Sequence, residues 1–99
     1  MVIVIKKAMK RLNEKIAIKE QNEKKAKDIN PIGEKQYHNG NYKSAIETYL
    51  EALTYDESNG LIWSNLALAY LRDDNFYGSQ FASIIAIITT NDNTIKANS

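Results

Sequence analysis

Apolar residues recur every three or four positions along most of the chain, which is the spacing of one face of an α-helix. Between residues 42 and 53 they follow an i, i+3, i+4, i+7, i+8, i+11 pattern: Tyr42, Ala45, Ile46, Tyr49, Leu50 and Leu53. A second run has a similar spacing: Trp63, Leu66, Ala67 and Tyr70. The pattern favours helices over strands and predicts an all-α fold.

Short polar segments separate the predicted helices. Asn39-Gly40-Asn41 ends one helix, because Gly40 adopts the left-handed conformation without a Cβ penalty. Residues 56–60 form a turn, and residues 73–75 form another that has no Gly and costs some stability. Asn30-Pro31 has the pattern of an N-cap followed by proline at the first helical position, so it predicts a helix that starts there.

Residue sizes recur along the chain at an offset of 34 positions. Large residues match large ones and small match small: Ile29 with Trp63, Ile32 with Leu66, Gly33 with Ala67, Tyr42 with Phe76, Ala45 with Ser79, and Ala52 with Ala86. The offset predicts a tandem repeat over residues 28–93, with units of about 26–59 and 60–93. Residues 1–27 form a separate helix or linker, and residues 94–99 form a tail or the start of a truncated third repeat.

The period and the motif Trp63-x-x-Leu66-Ala67-x-x-Tyr70 resemble the tetratricopeptide repeat. The other matching positions are Gly33, Ala45, Tyr49, Ala52 and Ala86. The resemblance implies two helical hairpins from a right-handed solenoid, preceded by an extra N-terminal helix. Small residues are expected at the helix crossings and aromatic residues beside them.

The resemblance also implies a non-catalytic protein-interaction module, which binds a peptide in a groove lined by the first helix of each unit. The residues expected there are Gln36, Asn65, Ala69 and Lys96. Co-chaperone members of the family clamp the acidic tail of heat-shock chaperones, and Asn65 and Lys96 resemble two of the five clamp residues. Asn30 and Glu34 occupy clamp positions without matching them, so we expect such a tail to bind weakly.

The composition offers little for catalysis. The chain has no Cys, which excludes disulfides and thiolate chemistry and favours an intracellular, cytoplasmic protein. Its one His, His38, has no second ligand at helical spacing, and no serine lies in a nucleophile motif. The sequence predicts no enzymatic activity, no metal and no cofactor.

Charge divides the chain into a basic arm and an acidic body. Residues 1–27 hold nine Lys and Arg against three Glu, whereas residues 28–99 hold four against nine acidic residues. An acidic body repels phosphate, so we expect no nucleic-acid partner. The arm carries an apolar stripe: Ile5, Met9, Leu12 and Ile16. Such a cationic amphipathic helix extends the solenoid, links domains as a solvated helix, or binds a membrane surface as an adaptor or presequence; the first two are the commoner cases.

The second helix of the second repeat, about Phe76 to Thr89, is apolar on more than one face through Ile84, Ile85, Ile87 and Ile88. Such a helix normally lies between neighbours, and two repeats are fewer than the three usually needed. The sequence therefore predicts either a fragment of a longer array or a homo-oligomer, in which the same face or the basic arm of a second copy covers these residues.

Overall fold

Four helices make up the fold in a computed structural model, which describes residues 2–98 and the side chains of residues 2–91. The helices are α1 (Val2–His38), α2 (Tyr42–Tyr55), α3 (Gly60–Arg72) and α4 (Phe76–Asn98). No strand occurs within residues 2–98. The predicted all-α class is confirmed.

The helices pair as two hairpins, α1 with α2 and α3 with α4, and α2 packs against α3. The buried apolar residues form one cluster that passes through both hairpins: Ala26, Ala45, Ile46, Tyr49, Ala52, Leu53, Ile62, Leu66, Ala67, Ala69 and Ala82. Small residues are frequent in this cluster because closely crossing helices leave little room between them. The aromatic rings of Trp63 and Tyr70 pack beside it and are only partly buried.

Gly33 lies where α1 and α2 approach too closely for a side chain. A Cβ atom built at Gly33 would be 2.5 Å from Cε1 of Tyr49, whose residue is only 2% exposed. Ala45 and Ala52, about one turn before and after Tyr49, are also buried. The Tyr49 ring therefore fills the space that a side chain at residue 33 would need.

The two interhelical turns have the same backbone conformation 34 residues apart. Gly40 has φ +82° after the end of α1, and Asp74 has φ +60° after the end of α3. The left-handed conformation predicted for Gly40 is confirmed. Asp74 makes the equivalent turn in the same left-handed backbone conformation, which its Cβ atom makes unfavourable.

We expect Asp74→Gly to raise the free energy of unfolding by about 0.5–1 kcal/mol, because glycine removes the left-handed Cβ penalty and this gain exceeds its entropic cost. The measurement is urea denaturation at a fixed protein concentration. Asp73→Gly is the matched control, since Asp73 has φ −89° and gains nothing from glycine. Equal effects of the two substitutions would contradict the assignment of strain to Asp74.

The helix start predicted at Asn30-Pro31 is wrong, because α1 continues through Pro31 as one helix. Asn30 does not cap it: the Asn30 side chain is buried and binds side chains on α1 and α3. These contacts hold residues 26–33 against the body and offset the cost of an internal proline. The N-terminal helix and the first repeat helix are consequently continuous.

Equivalent positions of the two repeats differ in burial. Ile32 is 55% exposed, whereas Leu66, its counterpart in the second repeat, is 1% exposed. The difference follows from the neighbours, since α3 packs between the first hairpin and α4 whereas α1 has a hairpin partner on one side only.

Residues 2–21 are all exposed, and we call them the N-terminal arm. The 37 residues of α1 span about 55 Å at 1.5 Å per residue, close to the 59 Å length of the molecule. The arm therefore projects beyond the hairpins as a continuation of α1.

The helix α4 is longer than predicted and runs to Asn98 instead of ending near Thr89. The backbone of residues 94–98 continues this helix. Lys96, a predicted groove residue, lies outside the side chains that the structure describes. None of the helices over the described residues has a stretch long and apolar enough to cross a membrane.

Candidate functional site

A groove of about 210 Å³ lies between the C-terminal part of α1 and the helix α3, and we call it the α1/α3 groove. It has side chains from three helices: Glu34, Tyr37 and His38 of α1, Tyr49 of α2, and Asn65 and Leu68 of α3. Residues 34, 37 and 38 share one face of α1, and residues 65 and 68 share one face of α3. Helical spacing therefore brings these side chains together.

A chain of hydrogen bonds fixes the position of the groove's polar groups. The Asn65 Nδ2 group donates to Asn30 Oδ1 at 3.0 Å, and Asn30 Nδ2 donates to Glu34 Oε1 at 2.7 Å. Asn30 is 6% exposed, so its amide must be satisfied inside the protein. The network joins α1 to α3 and holds the Glu34 carboxylate at the groove.

The Glu34 carboxylate has no cationic partner among the described residues, which contain a single ion pair, Lys19 with Glu23. One of its oxygens accepts the bond from Asn30. A carboxylate has about four acceptor positions, so Glu34 retains capacity for further donors. A lysine, arginine or amide group from outside the chain would satisfy this capacity.

Tyrosine hydroxyls add to the polar surface of the groove. Burial, reinforced by the nearby Glu34 and Tyr37, raises the pKa of Tyr49 to about 12. Its hydroxyl is therefore protonated at neutral pH and available as a donor or acceptor. Tyr37 Oη accepts a hydrogen bond from Arg72 Nε at 3.2 Å, and the Tyr37 ring meets the His38 ring edge-on.

The sequence-predicted groove residues have different environments. Asn65 lines the α1/α3 groove. Gln36 lies on the α2 side of α1, where its Oε1 accepts from Thr48 Oγ1 at 2.6 Å. Ala69 is 0% exposed and belongs to the core, so it offers no surface to a partner.

The sequence patterns did not indicate Tyr37, Tyr49 and Leu68 as groove residues. Glu34 was expected to be a mismatched clamp position, and His38 was expected only to lack a second ligand at helical spacing. One signal was present: Glu34 and Leu68 are 34 positions apart and line the same groove. No comparable sequence signal indicated Tyr49 as a groove residue. Its ring packs beside Gly33 where α1 and α2 cross, and the same side chain also lines the groove.

A family model described as TPR repeat matches residues 33–74. The match supports the tetratricopeptide repeat family. It begins at Gly33, where α1 and α2 cross, and ends at Asp74, so it contains the six residues that line the groove. Tetratricopeptide repeats in general mediate protein–protein interaction and are not catalytic.

Neither the curated proteins nor the solved structures contain a significant match to the chain. Over the residues that the structure describes, no three His, Cys, Asp or Glu side chains are grouped so as to hold a metal ion. The site offers hydrogen-bonding groups, one carboxylate and an apolar edge at Leu68.

Proposed function

We propose that the chain is a non-catalytic protein-interaction module that binds a segment of a partner protein in the α1/α3 groove. The observation that carries the proposal is the Glu34 carboxylate, which is held at the groove without a cationic partner among the described residues. The tetratricopeptide match supports a protein partner in general terms. We further propose a cytoplasmic location, in keeping with the lack of Cys.

The chemistry of the groove favours a partner segment with a lysine or arginine side chain. Glu34 accepts hydrogen bonds, and Tyr49 and Tyr37 carry phenolic oxygens that also accept. Residues 28–99 carry a net negative charge, which attracts a cationic segment before contact. Leu68 is 49% exposed and provides apolar contact for the stem of the cationic side chain.

The same groups disfavour the acidic chaperone tail. Glu34 repels a carboxylate, and the Asn65 amide already donates to Asn30. Lys96 alone cannot reproduce the set of cations that holds such a tail. We therefore propose a basic partner segment and at most weak binding of acidic tails.

We expect selection from a random peptide library to enrich peptides with a lysine or arginine at a fixed position. The best peptide is then labelled and titrated by fluorescence anisotropy. Glu34→Gln should weaken its binding by about 1 kcal/mol, which is about fivefold in Kd, because the charge-assisted bond becomes neutral. Replacing the cationic residue of the peptide by Glu should abolish binding.

Glu47→Gln is the matched control, since Glu47 is exposed on α2 and does not line the α1/α3 groove. It makes the same change in net charge and should leave Kd unchanged. Enrichment of acidic peptides, or equal losses for Glu34→Gln and Glu47→Gln, would contradict the proposal.

A second candidate function is an adaptor that attaches to membrane surfaces through the N-terminal arm. The observation in its favour is that the arm is exposed along its full length, with an apolar stripe flanked by Lys6, Lys10 and Lys15. Co-sedimentation with anionic liposomes, using the intact chain and a chain without residues 1–20, separates the two functions. Binding that survives the deletion, or is absent in both chains, removes this candidate.

A further inference from the structure

A second and larger groove, of about 530 Å³, lies between α3 and α4. We call it the α3/α4 groove. Its lining is half apolar and half polar, without a charged side chain, and includes Ser64, Ala67, Leu68, Leu71, Ser83 and Ile87. No other helix of the described residues covers it, because neither α1 nor α2 contacts α4.

The equivalent positions of the first hairpin are covered by a helix. Subtracting 34 from Ser64 and Leu71 gives Asn30 and Tyr37. Asn30 binds Asn65 of α3, and Tyr37 binds Arg72 of α3. In the first hairpin these positions therefore contact the next helix, α3. In the second hairpin the equivalent positions line an open groove.

The α3/α4 groove lacks a large ring and a carboxylate that the equivalent positions of the first hairpin carry. Tyr49 of the first hairpin corresponds to Ser83, which removes a buried ring. Glu34 corresponds to Leu68, which removes a carboxylate. An occupant of the α3/α4 groove should therefore have larger apolar side chains than α3 presents to the first hairpin.

The apolar residues of the N-terminal arm have the spacing and the size expected of an occupant of the α3/α4 groove. The buried residues of α3 are Gly60, Ile62, Leu66, Ala67 and Ala69, and three of them, Ile62, Leu66 and Ala69, follow an i, i+4, i+7 pattern. The arm repeats this pattern with larger apolar residues: Ile5, Met9 and Leu12. In this register Leu12 replaces Ala69, and a larger side chain can fill the space left by Ser83 in place of Tyr49.

The charges of the N-terminal arm and of the residues at the end of the α3/α4 groove are also complementary. The offset that aligns Leu12 with Ala69 places Lys15 at the position of Arg72. Asp73 and Asp74 follow Leu71 at the end of the α3/α4 groove, where Lys15 would lie. The arm is strongly basic and the body acidic, so the two attract each other.

The arm that fills the groove must come from another molecule. Within one chain the arm continues α1 and has no contact with α4. To reach its own α3/α4 groove, α1 would have to break and lose hydrogen bonds along the helix. A second copy offers the arm as an intact helix.

We propose that the chain self-associates by inserting the N-terminal arm of one copy into the α3/α4 groove of another, with Met9 and Leu12 as the anchoring side chains. This contact occupies a different groove from the α1/α3 groove, with only Leu68 shared between the two linings, and does not depend on the proposed function.

The test uses one variant on each side of the contact: Leu12→Glu in the arm and Ile87→Glu in the groove. Both residues are exposed, so the hairpins should still fold, which circular dichroism checks. By sedimentation velocity at concentrations on the order of tens of micromolar, the unmodified chain should be a dimer or larger. Each variant alone should be a monomer, with association weakened at least about tenfold.

An equimolar mixture of the two variants should associate again, because one supplies an intact arm and the other an intact groove. Ile3→Glu is the matched control: it lies on the opposite face of the arm and should leave association unchanged. Leu12→Ala, which preserves helix propensity, should give a smaller loss than Leu12→Glu.

Cysteine pairs locate the contact, since the chain has no Cys of its own. Mixing Leu12→Cys with Ser83→Cys under mild oxidation should give a cross-linked dimer, whereas Ile3→Cys with Ser83→Cys should not. A monomeric unmodified chain would overturn the proposal. So would a Leu12→Glu chain that remains dimeric while Ile88→Glu dissociates, since that pattern indicates contact between α4 helices.

Discussion

Leu66→Ala will lower the free energy of unfolding by about 2–5 kcal/mol. Leu66 is 1% exposed and lies on α3, the helix that packs both on α2 and on α4. Removing its branched side chain leaves a cavity in the layer that joins the two hairpins. A loss of this size is a large part of the 5–15 kcal/mol that stabilises a typical domain.

Leu61→Ala is the matched control for this measurement. It makes the same change five residues earlier on α3, but Leu61 is 62% exposed and lines neither groove, so we expect a loss within about 0.5 kcal/mol. Both variants are compared by urea denaturation at one protein concentration, because association shifts apparent stability. Similar losses for the two would show that the hairpin interface is not the main source of stability.

Gly33→Ala will lower the free energy of unfolding by about 1–3 kcal/mol, even though alanine is the better helix former. The added Cβ atom would meet the Tyr49 ring at 2.5 Å, and this buried ring has little freedom to move. Separation of α1 from α2 would weaken the contacts on either side, at Ala45 and Ala52.

The chain itself suggests a rescue for this substitution. The second repeat has Ala67 and Ser83 where the first has Gly33 and Tyr49. In a Tyr49→Ser background, itself destabilised, Gly33→Ala should therefore be neutral or stabilising by up to about 1 kcal/mol. A double-mutant cycle measures this reversal of sign. An equal loss in both backgrounds would mean that the Tyr49 ring is not what restricts residue 33.

Local signals in the sequence predicted most of the fold. Apolar periodicity gave the helical hairpins, and the turn at Gly40 was predicted from the conformational freedom of glycine alone. The continuity of α1 could not be predicted in this way. Asn30 and Pro31 have the local pattern of a helix start, but the buried amide of Asn30 binds Asn65, which is 35 positions away.

The groove was harder to predict than the fold. Gln36 and Ala69 were expected there because they lie on the first helix of each repeat, but a helix has several faces. The packing of α1 on α2 turns Gln36 towards Thr48, and the packing of the two hairpins buries Ala69. Which face of a helix is buried depends on how the helices cross. Residues that are close in the sequence do not determine these crossings.

Pro31 lies in the part of α1 that the contacts of Ala26 and Asn30 hold against the body. Proline has no backbone N–H, so the carbonyl of Lys27 lacks its usual partner four residues later. Ala26 is the buried residue of α1 nearest its N-terminus, and the helix extends about 36 Å from there to the tip of the arm. A bend of about 10° where the arm leaves the body therefore moves its tip by about 6 Å.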